Sequence, residues 1–328
     1  MADFRPGSSI QITKRDDRSL YMFFAQHLIR LFRTQLIKQG PSFPPGSPSL
    51  DVHKSAKKHC EVQERKVDDI YIYDLTAKKP APDRESPKTR QRKRIYYFAG
   101  GGWEAPCSPE HWMLCTELAR RIPNTTLSIV SYPLAPNSPA PVSFPQLMRL
   151  YHTLLEQSEQ ADETVILGGD SSGGNIILCL ALAVLQENPQ ARCPTALMAV
   201  SPSADLRRCN PDIQIVKKND PILQVPFIEK SARGWRGDWP AEDPRVSPIF
   251  GDASLLARRG VQVHGVVGGY DILGPDAVIM REKCNDAGVV GEWLEWDKQI
   301  HCFPLMWAYK LPEGVAAKNW MVDVLCRC

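Results

Sequence analysis

Residues 163–186, ETVILGGDSSGGNIILCLALAVLQ, run apolar, break over eight small and polar residues, and run apolar again. The first run, Thr164 to Leu167, is short and β-branched. The second, from Asn175 onward, is long enough for more than three helical turns, so the stretch reads as strand, tight turn, helix. Within the turn, Gly169-Asp170-Ser171-Ser172-Gly173 matches G-x-S-x-G. That pattern sets a serine on a strained corner with positive φ and close backbone on both sides, where the flanking positions take no bulky side chain. A bare G-x-S-x-G arises by chance in roughly one chain in ten of this length. The flanking buried strand and apolar helix therefore carry the case for a nucleophile.

The rest of the chain supplies a matching frame. From Ile95 strands and helices alternate: IYYFA, a helix around His111 to Arg121, TLSIVSY, a helix around Phe144 to Glu156, then the opening pair. TALMAVS follows, then a polar, proline-rich excursion from Asp205 to Phe250. After it come VQVHGVVG, a helix around Pro275 to Ala287, GEWLEW and a last helix from about Pro304. This alternation predicts an α/β fold, a mostly parallel sheet covered by helices on both faces, with active residues at the carboxyl ends of strands. Earlier, CEVQERKVDDIYIYDL from Cys60 reads as two strands around a turn, and Lys78 to Arg94 as an exposed charged connection. Residues 18–37 space apolar side chains as one helix, ended by the linker GPSFPPGSPS. Packing in a core or lid is the commoner use of such a helix, and a membrane-surface role the sharper one.

Composition excludes several classes. The 328 residues, 43% hydrophobic and 23% charged, are ample for one large core. The net charge of +3, from 40 basic and 37 acidic residues, gives no strong field and no case for nucleic acid. No apolar stretch is long enough to span a membrane, and the first residues do not read as a signal peptide. Ten cysteines show no C-x-x-C pair or metal-ligand spacing, so reduced thiols and a cytoplasmic setting are expected.

A serine hydroxyl needs a base to take its proton and an acid to orient that base. Of seven histidines, His27, His53 and His59 precede the sheet, His111 and His152 fall in helices and His264 in a strand. Only His301 follows a strand end. Asp271 follows the strand of residues 261–267. Asp276 is explained as a helix cap, and Glu295 and Asp297 lie in or beside the preceding strand. The order Ser171, Asp271, His301 is that expected of a hydrolase-type sheet. Gly100 to Gly102 follow the strand ending near Ala99, so the N–H groups of Gly101 and Gly102, with that of Ser172 at a helix start, are candidate oxyanion donors.

These motifs resemble the hormone-sensitive-lipase group of the α/β-hydrolase fold, which includes microbial esterases and arylacetamide deacetylases. The likeness rests on AGGGW, SYPLAPNSPAP (Ser131 to Pro141), GGDSSGGN, SPSADL, NDPIL, RVSPIFGD, YDILGPDA and IHCFP, across roughly residues 60–328. Two positions depart from the group: Ala99 stands where it usually has the histidine that braces the oxyanion loop, and Pro133 where it usually has arginine. The resemblance implies an eight-stranded sheet in a catalytic domain over 57–328. It also implies a helical cap built from residues 1–56 and an insertion at about 207–240. Trp103, Tyr132, Phe227, Trp235 and Trp239 are candidate pocket or lid aromatics. The expected reaction is hydrolysis of a small to medium, mainly apolar ester through an acyl-serine, with no cofactor and no metal. A hydrolase-fold lyase or cyclase of natural-product biosynthesis is the alternative. A non-catalytic ligand receptor is disfavoured by the retained His301. Oligomeric state, a homodimer included, is left open.

Overall fold

The structure, a computed structural model, describes residues 8–36, 42–79 and 91–328. Most of the charged connection, and part of the linker after the first helix, lie outside the described residues. Nine strands form one sheet: β1 (Ile10–Arg15), β2 (Cys60–Val67), β3 (Ile70–Ala77), β4 (Arg92–Phe98), β5 (Thr125–Ser131), β6 (Glu163–Asp170), β7 (Ala196–Val200), β8 (Gln262–Tyr270) and β9 (Gly291–Ile300). Their order is β1-β9-β8-β7-β6-β4-β5-β3-β2. β2 and β3 pair antiparallel, as do β3 and β5, and every other neighbour pair is parallel. The central strands are buried on both faces and read as near-continuous apolar runs, as parallel strands under helices must.

The ten α-helices of the described residues are α1 (Leu20–Leu36), α2 (Lys54–His59), α3 (Pro109–Arg121), α4 (Ala140–Gln160), α5 (Ser172–Glu187), α6 (Asp212–Val216), α7 (Val225–Arg236), α8 (Ser254–Arg258), α9 (Gly274–Asp286) and α10 (Pro312–Arg327). Side chains of α4, α5 and α9 fill the core on one face of the sheet, and those of α3 and α10 the core on the other. α5 is apolar around nearly its whole circumference because it is buried on nearly all sides.

Three expectations change. The sheet has nine strands rather than eight, because residues 10–15, expected as part of the cap, pair in parallel with β9. The last helix begins at Pro312, after a 3-10 turn over Phe303–Tyr309. Lys310 sits there at φ 61°, and proline at a first helical position starts a new helix. Finally, α1 packs inward through Met22 and Gln26, while most of its apolar side chains face outward.

Candidate active site

β6 ends at Asp170 and α5 begins at Ser172, so Ser171 alone makes the corner. Its φ is 52°, a conformation L residues rarely hold. The corner is pinned on both sides: Ser171 N–H donates to Val200 O at 2.8 Å, and its carbonyl accepts from Asn175 N at 3.0 Å and Ser203 N at 3.2 Å. A Cβ at Gly169 would fall 2.6 Å from the Gly173 carbonyl carbon, and one at Gly173 would strike the Phe98 carbonyl. Both positions require glycine.

Asp271 follows β8 and His301 follows β9, on adjacent strands. Asp271 is fully buried. Its Oδ1 accepts from Leu273 N at 2.9 Å and its Oδ2 lies 2.8 Å from His301 Nδ1. A carboxylate at Nδ1 keeps the proton there and turns the Nε2 lone pair outward. Burial alone would push the His301 pKa down, but the charge and hydrogen bond of Asp271 outweigh it and hold the imidazole above its ordinary value.

Ser171 and His301 line one cavity of about 1260 Å³. In this conformation Ser171 Oγ makes no hydrogen bond with a described residue, and His301 Nε2 stands 3.4 Å from Cys302 Sγ. Such contacts commonly close only around a substrate. The three rival acids are engaged elsewhere. Asp276 lies inside the first turn of α9 and not at its cap, and accepts from Asn210 at 2.8 Å. Glu295 pairs with Arg281, and Asp297 accepts from Lys298 N at 2.8 Å.

Beyond β4, the carbonyl of Gly101 accepts from Glu104 N and Ala105 N, closing a tight turn. The N–H groups of Gly101 and Gly102 are taken up by no acceptor among the described residues, and both glycines line the cavity. Ser172 is buried at the head of α5, directly after Ser171, and is not among the residues that line the cavity.

Five residues the sequence reading passed over, Tyr97, His111, Asp170, Asp220 and Cys302, support this site. Asp170 lies under the glycine turn: Oδ1 accepts from Gly100 N at 3.0 Å and Tyr97 OH at 2.9 Å, and Oδ2 meets His111 Nε2 at 3.0 Å and Cys302 Sγ at 3.5 Å. Burial raises the Asp170 pKa, yet His111 and the other donors outweigh it and leave the carboxyl below its ordinary value. The loop that lacks a histidine at Ala99 is thus tied from below, through the residue preceding Ser171. Asp220 accepts from Ile222 N and Leu223 N at 2.8 Å and from Ile272 N at 2.9 Å, joining the segment before α7 to the Asp271 turn. Burial, and then the charge of Asp271, push its pKa up to about 6. The only local signals were S-x-x-H at the start of α3, where a capping box usually carries Glu, and the NDPIL motif.

Of the five aromatics, Trp103 and Phe227 line the cavity. The other three do not. Trp235 is fully buried and stacks on Trp103 at 5.8 Å, an interplanar angle of 7°. Tyr132 lies under the glycine turn, its OH donating to Ala99 O at 2.8 Å, and Trp239 packs on Phe144 beneath the Arg245 guanidinium. Ala25, Leu28, Ile29 and Phe32 of α1 and Phe227, Ile228 and Ser231 of α7 make much of the remaining wall.

A family model described as an alpha/beta hydrolase fold matches residues 95–305. An esterase of Acinetobacter venetianus is 32% identical over 196 residues, covering 60% of this chain and 62% of that protein. The hormone-sensitive lipase of Ictidomys tridecemlineatus is 28% identical over 193 residues, covering 55% of this chain and 24% of the lipase. The match thus spans less than two thirds of either relative. A crystal structure of a hormone-sensitive lipase from a metagenome library superposes with a TM-score of 0.73 at 20% identity, covering 95% of this chain and 98% of that one. At that identity the likeness is one of fold.

Proposed function

The chain belongs to the alpha/beta hydrolase fold family of that model, and on that premise we propose that it is a serine carboxylic-ester hydrolase acting through an acyl-serine. The observation that carries the reading is the 2.8 Å contact of His301 Nδ1 with Asp271 Oδ2, on the wall of a cavity that also holds Ser171 at its strained corner. His301 Nε2 takes the Ser171 proton as Oγ attacks the ester carbonyl. The imidazolium is held by Asp271, and the tetrahedral oxygen is met by the N–H groups of Gly101, Gly102 and Ser172. His301 then protonates the leaving alcohol, and a water it activates releases the acid.

The wall chemistry favours a mainly apolar ester: α1 and α7 contribute Leu28, Ile29, Phe32, Phe227 and Ile228. At about 1260 Å³ the cavity exceeds the usual range for small-ligand sites, so a small to medium ester fits within it whole. In this reading α1 and the segment carrying α6 and α7 act as the cap over a catalytic domain.

The test is hydrolysis of p-nitrophenyl esters from acetyl to decanoyl by wild type and Ser171→Ala, with intact-mass detection of a phosphonylated Ser171 after fluorophosphonate treatment. Serine-dependent turnover that fades with chain length is expected. A folded wild type that neither turns over an ester nor reacts with the phosphonate would instead point to a lyase or cyclase using His301 as base.

A further inference from the structure

Nothing among the described residues covers the outer face of α1. Leu20, Tyr21, Phe24, Leu28, Leu31 and Phe32 are between 52% and 75% exposed. At ~100° per residue they fall within an arc of about 120°, too regular for scattered surface apolar residues. The rotation of the helix is fixed from inside. Met22 is fully buried, Gln26 Nε2 donates to Lys298 O at 2.7 Å, and Ser19 at the helix start is held by Glu313 of α10. The stripe therefore faces outward by construction.

Two features select what covers it. The first is charge. Leu20–Leu36 contains no carboxylate, and it carries Arg30 and Arg33. Arg30 donates to Asn219 O at 2.7 Å, beside the exposed Lys217 and Lys218 and one turn from the exposed Ile215. These cations flank the apolar stripe rather than interrupt it, the placement that lets anionic head groups complement them while the stripe enters the acyl region. The second is continuity. Leu28 and Phe32 belong both to the stripe and to the cavity wall, so the apolar surface runs into the cavity mouth. A protein seated there would close the mouth. An acyl-chain phase would lead into it.

We propose that α1 docks on an anionic lipid surface, lying in the interface with Leu20, Phe24, Leu28 and Leu31 among the acyl chains and Lys217 and Lys218 toward the head groups. No helix among the described residues is long and apolar enough to cross a membrane, and the geometry requires only that α1 lie along one. This docking stands independently of the ester chemistry.

The test is co-sedimentation of the full chain with phosphatidylcholine vesicles, with and without phosphatidylserine. Wild type is expected to sediment with the anionic vesicles, less so as salt rises. The double variant Phe24→Glu, Leu31→Glu should lose at least about a hundredfold in partitioning, and Lys217→Gln, Lys218→Gln about fivefold per charge removed. None of these four residues lines the cavity, so turnover of a soluble ester and thermal unfolding should match wild type. Sedimentation with neither vesicle, or equally with both, would overturn the proposal. So would a wild-type dimer in sedimentation equilibrium that the Phe24 and Leu31 substitutions dissociate.

Discussion

His111 Nε2 stands 3.0 Å from Asp170 Oδ2, and through that carboxylate a helix on one side of the sheet holds the glycine turn on which the candidate oxyanion donors sit. His111 is itself positioned by the start of α3, where Ser108 Oγ lies 2.8 Å from its Nδ1. Both partners are buried. Removing one leaves an uncompensated group, at a cost of about 3–5 kcal/mol. His111→Ala is therefore expected to lower unfolding stability by that amount and kcat by about tenfold to a hundredfold, with His111→Gln, which retains a donor, recovering most of both. Urea unfolding and steady-state kinetics check this. An alanine variant as stable as wild type would show that the pair contributes nothing.

The same pair sets a pH window. Burial works against the charged form of each partner, but their mutual attraction prevails, so the Asp170 pKa lies below 3.8 and the His111 pKa above 6.5. The Asp170 part of the stabilisation is present above pH 3.8 and is lost as pH falls through its depressed folded value. The His111 part is present below pH 6.5 and is lost as pH rises through its raised folded value. The stability gap between wild type and His111→Ala should be widest between those limits and narrow on either side. A gap independent of pH would mean the bond is held without charge.

For His301 the sign runs the other way in function, because the proposed base must be neutral to accept a proton. With its pKa held above 6.5 by Asp271 against burial, the acid limb of kcat/KM should fall above pH 6.5. Asp271→Asn removes that support and leaves the wrong tautomer. kcat should drop about 10⁴-fold and the acid limb should move to lower pH. An unmoved limb in the variant would assign the titration to another group.

The glycine turn separates strain from shape. Gly102 has φ +62°, which a side chain can reach at a cost of about 1–2 kcal/mol, and a methyl group there would sit 3.2 Å from Ser231 Oγ. Gly101 has φ +140°, and its Cβ would meet the Ala105 carbonyl at 2.5 Å. Gly101→Ala should therefore cost at least about 100-fold in kcat, and Gly102→Ala clearly less, with KM for short esters near wild type in both. The reverse ranking in steady-state kinetics would place the turn differently in the working enzyme.

Cys302 lies beside His301 without being a thiolate. Burial and the charge of Asp170 hold its pKa well above the ordinary value, and it is 7% exposed. Iodoacetamide should label the exposed Cys209 and Cys326 and spare Cys302, with esterase turnover retained. Peptide mass mapping alongside the residual rate would reveal the contrary case.

What could be read from the sequence divides along a physical line. The Ser171 corner was legible because steric demand leaves a local trace: glycines two before and two after, apolar runs on either side. Asp271 and His301 were legible because strand ends are local and their order is meaningful in a parallel sheet. Asp170 and His111 were not, since each already has an ordinary local explanation, a strand end and a helix start, and only the fold brings them together. β1 was missed for a related reason. Its six residues carry one deeply buried side chain, Ile10, and its partner strand lies at the other end of the chain. Three of the five aromatics failed as pocket markers, because Trp235 and Trp239 fill volume behind the wall and Tyr132 lies under the glycine turn, which composition cannot distinguish from lining the cavity.

That edge strand also dictates the order in which the molecule can be completed. Ile10 has no partner until Gly291 exists, and Asp17, whose carbonyl accepts from Trp296 Nε1 at 2.7 Å, waits as long. During vectorial synthesis this segment is thus made long before its partners, and α1 gains its last anchors only when Lys298 of β9 and Glu313 of α10 are in place. Until those partners exist, the nascent chain carries an apolar helix with both of its faces open to water.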